Sequence, residues 1–371
     1  MTTTINGSSP SITFSDGSAQ TSATRPFQNR IINGAMVLAQ RGTTFSGLSD
    51  DGGQYTLDRW RWSENGTYTG SQTVTQDSSA PVGFSNSLRV VTNTAITTGT
   101  SLSSRIEQFI EGFNSADLQW GTANAKTITL SFWVKSSLTG TFGGALRNSA
   151  DDRSYPFSYT ISVADTWEQK SVTIAGDTSG TWVGATNGVG IRVTFSLGAG
   201  TSLSGTAGAW SASGAQSVTG AVAVNATASA NWAITGCQLE VGSTATSFDY
   251  RPYGTELALC QRYYYKNNYA ATKIIGTVQA YSTNGQAFGQ LFTHPVPMRA
   301  TPTSSNSGGT SFQLANINSS RSATTSIVID PSIQGIHLGD SGSGATTVAG
   351  GASVFYSNTS GTSFIDVSAE L

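Results

Sequence analysis

The chain has 371 residues, enough for two β-rich domains or one large domain with an appendage, and only 11% of them are charged against roughly 25% in ordinary soluble domains. A net charge of -2 with Lys and Arg scattered singly provides no basic stripe for nucleic acid, and no stretch reaches the ~18 apolar residues of a membrane span. Disorder is disfavoured by 8 Trp, 12 Tyr and 16 Phe, so the 42 glycines and the abundant Ser and Thr point to short strands joined by tight turns.

In chain order, residues 1–27 form a polar, Ser/Thr-rich arm in which Ile12 and Phe14 alternate. Such a segment buries little alone and is expected to pair as a strand with a neighbouring subunit or a docking partner. Its first ten residues carry no basic or apolar signal region, so assembly in a cytosol is expected, with Cys237 and Cys260 as free thiols.

Residues 28–254 read as strands throughout. The segments starting at Leu88, Ile128, Tyr155, Trp167, Val189 and Trp232 alternate apolar with polar residues between Gly, Asn, Asp and Ser clusters. Helical spacing is confined to Ser104–Phe113 and Glu256–Tyr264, which argues against a parallel βαβ arrangement. The expected fold is all-β: a jelly-roll-type antiparallel β-sandwich with an N-terminal arm and a second, smaller C-terminal β domain. That last part, residues 255–371, begins with a short linker helix. Strands follow at Ile274–Tyr281, Gln286–Phe292, Ser326–Ile329, Ser353–Tyr356 and Phe364–Val367, with Pro295, Pro297 and Pro302 in turns, as a tip or trimerisation region.

The phrase from Asn29 to Met36 (Asn-Arg-Ile-Ile-Asn-Gly-Ala-Met), then Gln40-Arg41-Gly42 and Tyr55-Thr56-Leu57-Asp58-Arg59-Trp60, resembles the opening of a group of bacteriophage tail-fibre and virion-appendage proteins. The closing phrase from Ile234 to Tyr253, with Glu256 to Tyr265 after it, is similar to the end of the sandwich in that group, and Ser131 to Ser136 and Ser154 to Tyr159 match between them. The resemblance spans about residues 28–266 and implies a phage-borne sandwich related in shape to carbohydrate-binding modules. It further implies a homotrimer whose arm docks on other virion proteins and whose outer part touches host surface polysaccharide. It does not extend to the arm, and it is weak over the last hundred residues.

Read as residues, these phrases are mostly structural. Trp60 and Trp62 share one face of a strand and are expected in the core, while Leu239, Val241 and Phe248 serve as inward anchors and Gly242 as a turn or bulge. Asp249, Arg251 and Asp58 would form an ionic cluster joining the first strand to the last. Alternatively Asp58, Glu240 and Asp249 would hold calcium, which takes roughly 6–8 oxygen ligands; no other cofactor is expected.

Catalysis has little to stand on. His294 and His337 are the only histidines and neither sits beside a Ser/Asp arrangement, so no catalytic residue is assigned. The acidic pairs Asp50-Asp51 and Asp151-Asp152 read as solvated turns, and no phosphate loop is present. For binding, Trp210, Trp182 and Tyr68 lie in or beside loops where a ring can stack on the apolar face of a sugar; Trp210 is preferred, and subunit packing is the rival role. The expected function is a non-enzymatic virion structural protein that binds host glycan, with a purely architectural virion protein as the alternative and a polysaccharide depolymerase as a distant third.

Overall fold

The computed structural model describes residues 28–49, 52–67, 69–97, 99–269, 293–305, 331–335 and 364–371 in full. It adds the backbone of strands in the arm and in the C-terminal part.

Twelve strands build the sandwich: β1 (Thr44–Leu48), β2 (Gln54–Tyr55), β3 (Arg61–Asn65), β4 (Ser71–Asp77), β5 (Ser87–Thr94), β6 (Ser103–Glu111), β7 (Ile128–Ser136), β8 (Gly140–Arg147), β9 (Ser154–Ile161), β10 (Glu168–Ile174), β11 (Val189–Ala199) and β12 (Asn231–Val241). They form two six-stranded antiparallel sheets, ordered β10-β7-β12-β5-β4-β1 and β9-β8-β11-β6-β3-β2. This is the expected jelly-roll-type sandwich.

The inward face follows from the period of two. In β7, Ile128, Leu130, Phe132 and Val134 are all fully buried, and the edge strand β10 alternates exposed and covered positions as a strand with one wet face should. Phe195 of β11 is the hub of the core, with ring centroids 5.0 Å from Phe132 and 6.0 Å from both Phe157 and Trp232. Trp60 and Trp62 are buried here, as expected.

One element differs from the sequence reading. Ser104–Phe113 is not helical; most of it is the strand β6. Ile106 and Ile110 face the core, so the spacing looks helical, but Arg105, Glu107 and Phe109 point to the opposite face and are buried there too. With both faces covered, the alternation that marks a strand disappears.

Helix α1 (Tyr253–Gln261) lies at the end of the sandwich, where Cys260 and Tyr263 pack with Ile32 and Leu38. Both cysteines are buried free thiols. The smaller C-terminal β domain follows, comprising a three-stranded sheet ordered Tyr264–Tyr269, Ser363–Ser368, Thr303–Asn306 and a seven-stranded sheet that includes Ile274–Ala280 and Ala352–Ser357. Its last residues return to the sandwich: Glu370 pairs with Arg41 and Arg59, and the Tyr55 hydroxyl donates to the Leu371 carbonyl at 2.7 Å. In the arm, Ser11–Thr13 pairs with Thr4–Asn6 on one side and Ala19–Gln20 on the other, so the strand around Ile12 finds its partners within the arm itself. Phe14 lies outside the described residues.

Candidate functional site

The phrase from Asn29 to Met36 is a polar knot. The Asn29 side chain donates to the Cys237 carbonyl and accepts from the Ile31 and Leu239 amides, at 2.9–3.0 Å. Asn33, in the left-handed region at φ 56, donates to the carbonyls of Leu38 and Asp58, and its own carbonyl accepts the indole N–H of Trp60 at 3.0 Å. Asn tolerates this conformation because its short amide bonds locally. Just after Asn33, the Gly34 carbonyl accepts the Cys237 amide of β12 at 3.0 Å, and a Cβ at 34 would sit inside the van der Waals shell of the Cys237 carbonyl oxygen. The knot therefore needs Asn-Gly.

Beside the knot opens a cleft of about 500 Å³, of the size that holds small ligands. Phe84 comes from the turn between β4 and β5, and Phe248 and Tyr250 from the segment after β12. Their rings pack at 4.8–5.5 Å. Phe84 can enter because β12 carries a bulge opposite β7, where Gly236 at φ 61 leaves room that a Cβ would fill. The Tyr250 hydroxyl donates to the Gly83 carbonyl at 2.7 Å while the residue stays 57% exposed, so its ring is held rigid but open to solvent. Tyr253, on the first turn of α1, is 63% exposed on the same cleft. Asn29, Ser85, Asp249, Arg251 and Glu256 supply the polar lining. Chemically this is a surface of rigid ring faces bordered by hydrogen-bonding groups.

The residues singled out from sequence fall elsewhere. Trp182 and Trp210 do come together, in a ring cluster with Trp120 and Tyr155 at centroid distances of 4.7–5.4 Å. The Trp210 indole N–H donates to the Ala175 carbonyl at 2.7 Å. These rings tie three loops together, mostly edge to face. Trp210→Ala should lower stability by about 2 kcal/mol in a denaturant titration and leave glycan affinity unchanged. Lost glycan binding with unaltered stability would move the site to this cluster. Tyr68 lies outside the described residues.

Among the described residues neither the calcium set nor the ionic cluster is brought together. Asp58 is fully buried and accepts from the Gln40 amide at 2.6 Å and side chain at 2.5 Å; burial pushes its pKa up, opposed by those hydrogen bonds. Glu240 accepts from the Thr246 amide and hydroxyl and the Gln238 side chain, and Asp249 from the Asn29 amide at 3.3 Å. Among the described residues no three such ligands converge on a metal position. Arg251 pairs not with Asp58 or Asp249 but with Glu256, and donates to the carbonyls of Asn29 and Ile31. Leu239 is a buried anchor, Val241 packs at the edge of the core, and Phe248 lines the cleft instead. Gly242, at φ 128, makes the bend where the chain leaves β12, and the bulge of β12 is at Gly236.

The acidic pair Asp151-Asp152 lies in a turn with Asp152 exposed, as expected, but Asp151 also bridges Arg147 and Arg192 at 2.6 and 2.7 Å, and Asp152 accepts from Asn148. Asp50-Asp51 lies outside the described residues. His294 is buried with Nε2 3.2 Å from the Ser332 carbonyl, and burial lowers its pKa. The His337 side chain is outside the described set. Among the described residues no helix is long and apolar enough to cross a membrane.

No family model matches the chain, and no curated protein matches it. Among solved structures it is similar to a putative sugar binding protein from Bacteroides thetaiotaomicron, with 12% identity, a TM-score of 0.33, and 58% of this chain and 100% of that one covered. It is also similar to a carbohydrate-binding module described as CBM4, at 14% identity and TM-score 0.30 over 57% of this chain and 98% of that one. A third is the enzymatically active domain of tailspike protein 4 of bacteriophage CBA120, at 13% identity and TM-score 0.32, covering 59% of this chain and 22% of that one. The chain thus spans about a fifth of the tailspike structure. At these scores the likenesses carry no argument about ligand or activity.

Proposed function

We propose that the protein is a non-enzymatic, glycan-binding structural subunit of a phage virion, a tail-fibre or similar host-facing appendage assembled as a homotrimer in the host cytosol. The observation that carries the glycan reading is the cleft beside the knot, where the Tyr250 ring is locked by its own hydroxyl yet exposed, among carboxylate, amide and hydroxyl groups. Sugars present apolar C–H faces to such rings and hydroxyls to such edges. The virion assignment rests on the resemblance of residues 28–266 to phage appendage proteins, with the arm as the docking segment. No cofactor enters this reading.

Fluorescently tagged protein should bind host cells as a trimer in light scattering, and Tyr250→Ala should abolish that binding. A folded trimer that fails to bind cells would instead establish the architectural alternative, and release of reducing sugar from host polysaccharide would establish a depolymerase.

A further inference from the structure

The cleft does not end at Arg251. A second cavity of about 450 Å³ lies on its other side, and Asn29 and Arg251 line both. Each cavity alone falls in the range of roughly 300–1,000 Å³ that holds a small ligand. The floor they share is rigid, because Arg251 is pinned to the Asn29 and Ile31 carbonyls and to Glu256. The second cavity has its own ring: Phe113, just after β6, is 57% exposed, and its amide donates to the Thr186 carbonyl at 2.9 Å, which fixes the backbone beneath it.

The charges along this groove are nearly cancelled. Among the lining residues Arg251 answers Glu256 and Arg30 answers Asp117. Asp249 is left over: among the described residues it has no ion-pair partner and accepts only from the Asn29 amide at 3.3 Å. A leftover carboxylate rejects an acidic ligand by like-charge repulsion and can accept hydrogen bonds from sugar hydroxyls. It also disfavours a dry protein partner, under which Asp249 would be buried without compensation.

Resting on the glycan reading above, we infer that the two cavities are one extended binding groove for a linear, neutral oligosaccharide chain. Tyr250 and Phe113 are the stacking platforms at its two ends, and Asp249 is the group that excludes acidic sugars.

The test uses the full-length protein on an array of size-graded neutral glucan, galactan and mannan oligosaccharides beside uronate-containing counterparts. Affinity for the matching neutral series should rise with chain length. Tyr250→Ala should weaken binding at every length, whereas Phe113→Ala should weaken it about tenfold, ~1.4 kcal/mol, for the longer chains alone. Asp249→Asn should narrow the preference for neutral over uronate-bearing chains. Length-independent affinity, a Phe113→Ala variant that binds long chains normally, or a preference for uronates would overturn the extended neutral groove while leaving glycan binding intact. Absence of binding to every glycan by the folded protein would overturn the glycan reading itself.

Discussion

Glu107→Ala should cost about 3–5 kcal/mol of stability at neutral pH. Glu107 is fully buried on the outer face of β6, where Arg61, Arg105 and Arg147 pair with it at 3.0–3.1 Å and the Ser63 hydroxyl donates to it at 2.6 Å. Removing the carboxylate leaves Arg105 and Arg147, both nearly inaccessible, without their principal counter-charge. Burial draws Arg147 down to about 10, so it stays charged at neutral pH and would keep only the half-exposed Asp151 as its partner. Burial alone would raise Glu107, but Arg105, Arg147 and the Ser63 hydrogen bond overcome it and hold the carboxyl at about 2, against 4.5 for an ordinary Glu.

Because the folded value is depressed, the stabilisation is complete above about pH 4.5 and is lost as pH falls toward 2. The depression corresponds to about 3 kcal/mol. Asp58 is shifted in the opposite direction by its burial, so the Glu107 contribution is read as the difference between wild type and Glu107→Gln across that window. Thermal melts of the two proteins should diverge at neutral pH and converge only as pH approaches about 2. Curves that keep a constant offset at all pH values would show that ionisation of Glu107 is not what stabilises the fold, and coincident curves would show no net contribution.

Gly34→Ala should cost about 3 kcal/mol, measured by urea unfolding. The added methyl meets backbone, not a side chain that can swing away, and it also pushes apart the Cys237 amide and the Gly34 carbonyl that accepts it. Gly254, in the first turn of α1 with open space where its Cβ would be, is the control. Alanine there should be neutral or slightly stabilising, since it favours the helix. Equal effects at both positions would refute the steric account of the Asn-Gly pair.

Particular residues show what was legible in the sequence. The strand in which Ile128, Leu130, Phe132 and Val134 alternate with Thr, Ser, Trp and Lys is found where the alternation predicts it. The strands of the C-terminal domain, such as Ile274–Ala280 and Ala352–Ser357, also fall within a few residues of their expected positions. Strand β6 was misread because its second face is buried by an ion network whose members come from β3, β6, β8 and the Asp151 turn. Local spacing carries no record of such partners.

The binding residues divide the same way. Tyr250 and Tyr253 stand close together in a Pro-containing segment after the last sandwich strand, a local signal that sequence reading could have weighed for binding. Phe84 lies more than 160 residues earlier and reaches them only through the space left by Gly236. By itself the sequence determined an all-β sandwich with a second β domain, because a period of two and glycine-rich turns are local properties. Only the tertiary structure decided which rings form a cleft and which tryptophans close on one another. It alone also showed which carboxylates are paired and that Asp249 has no ion-pair partner among the described residues, because each of those depends on contacts between segments far apart in the chain.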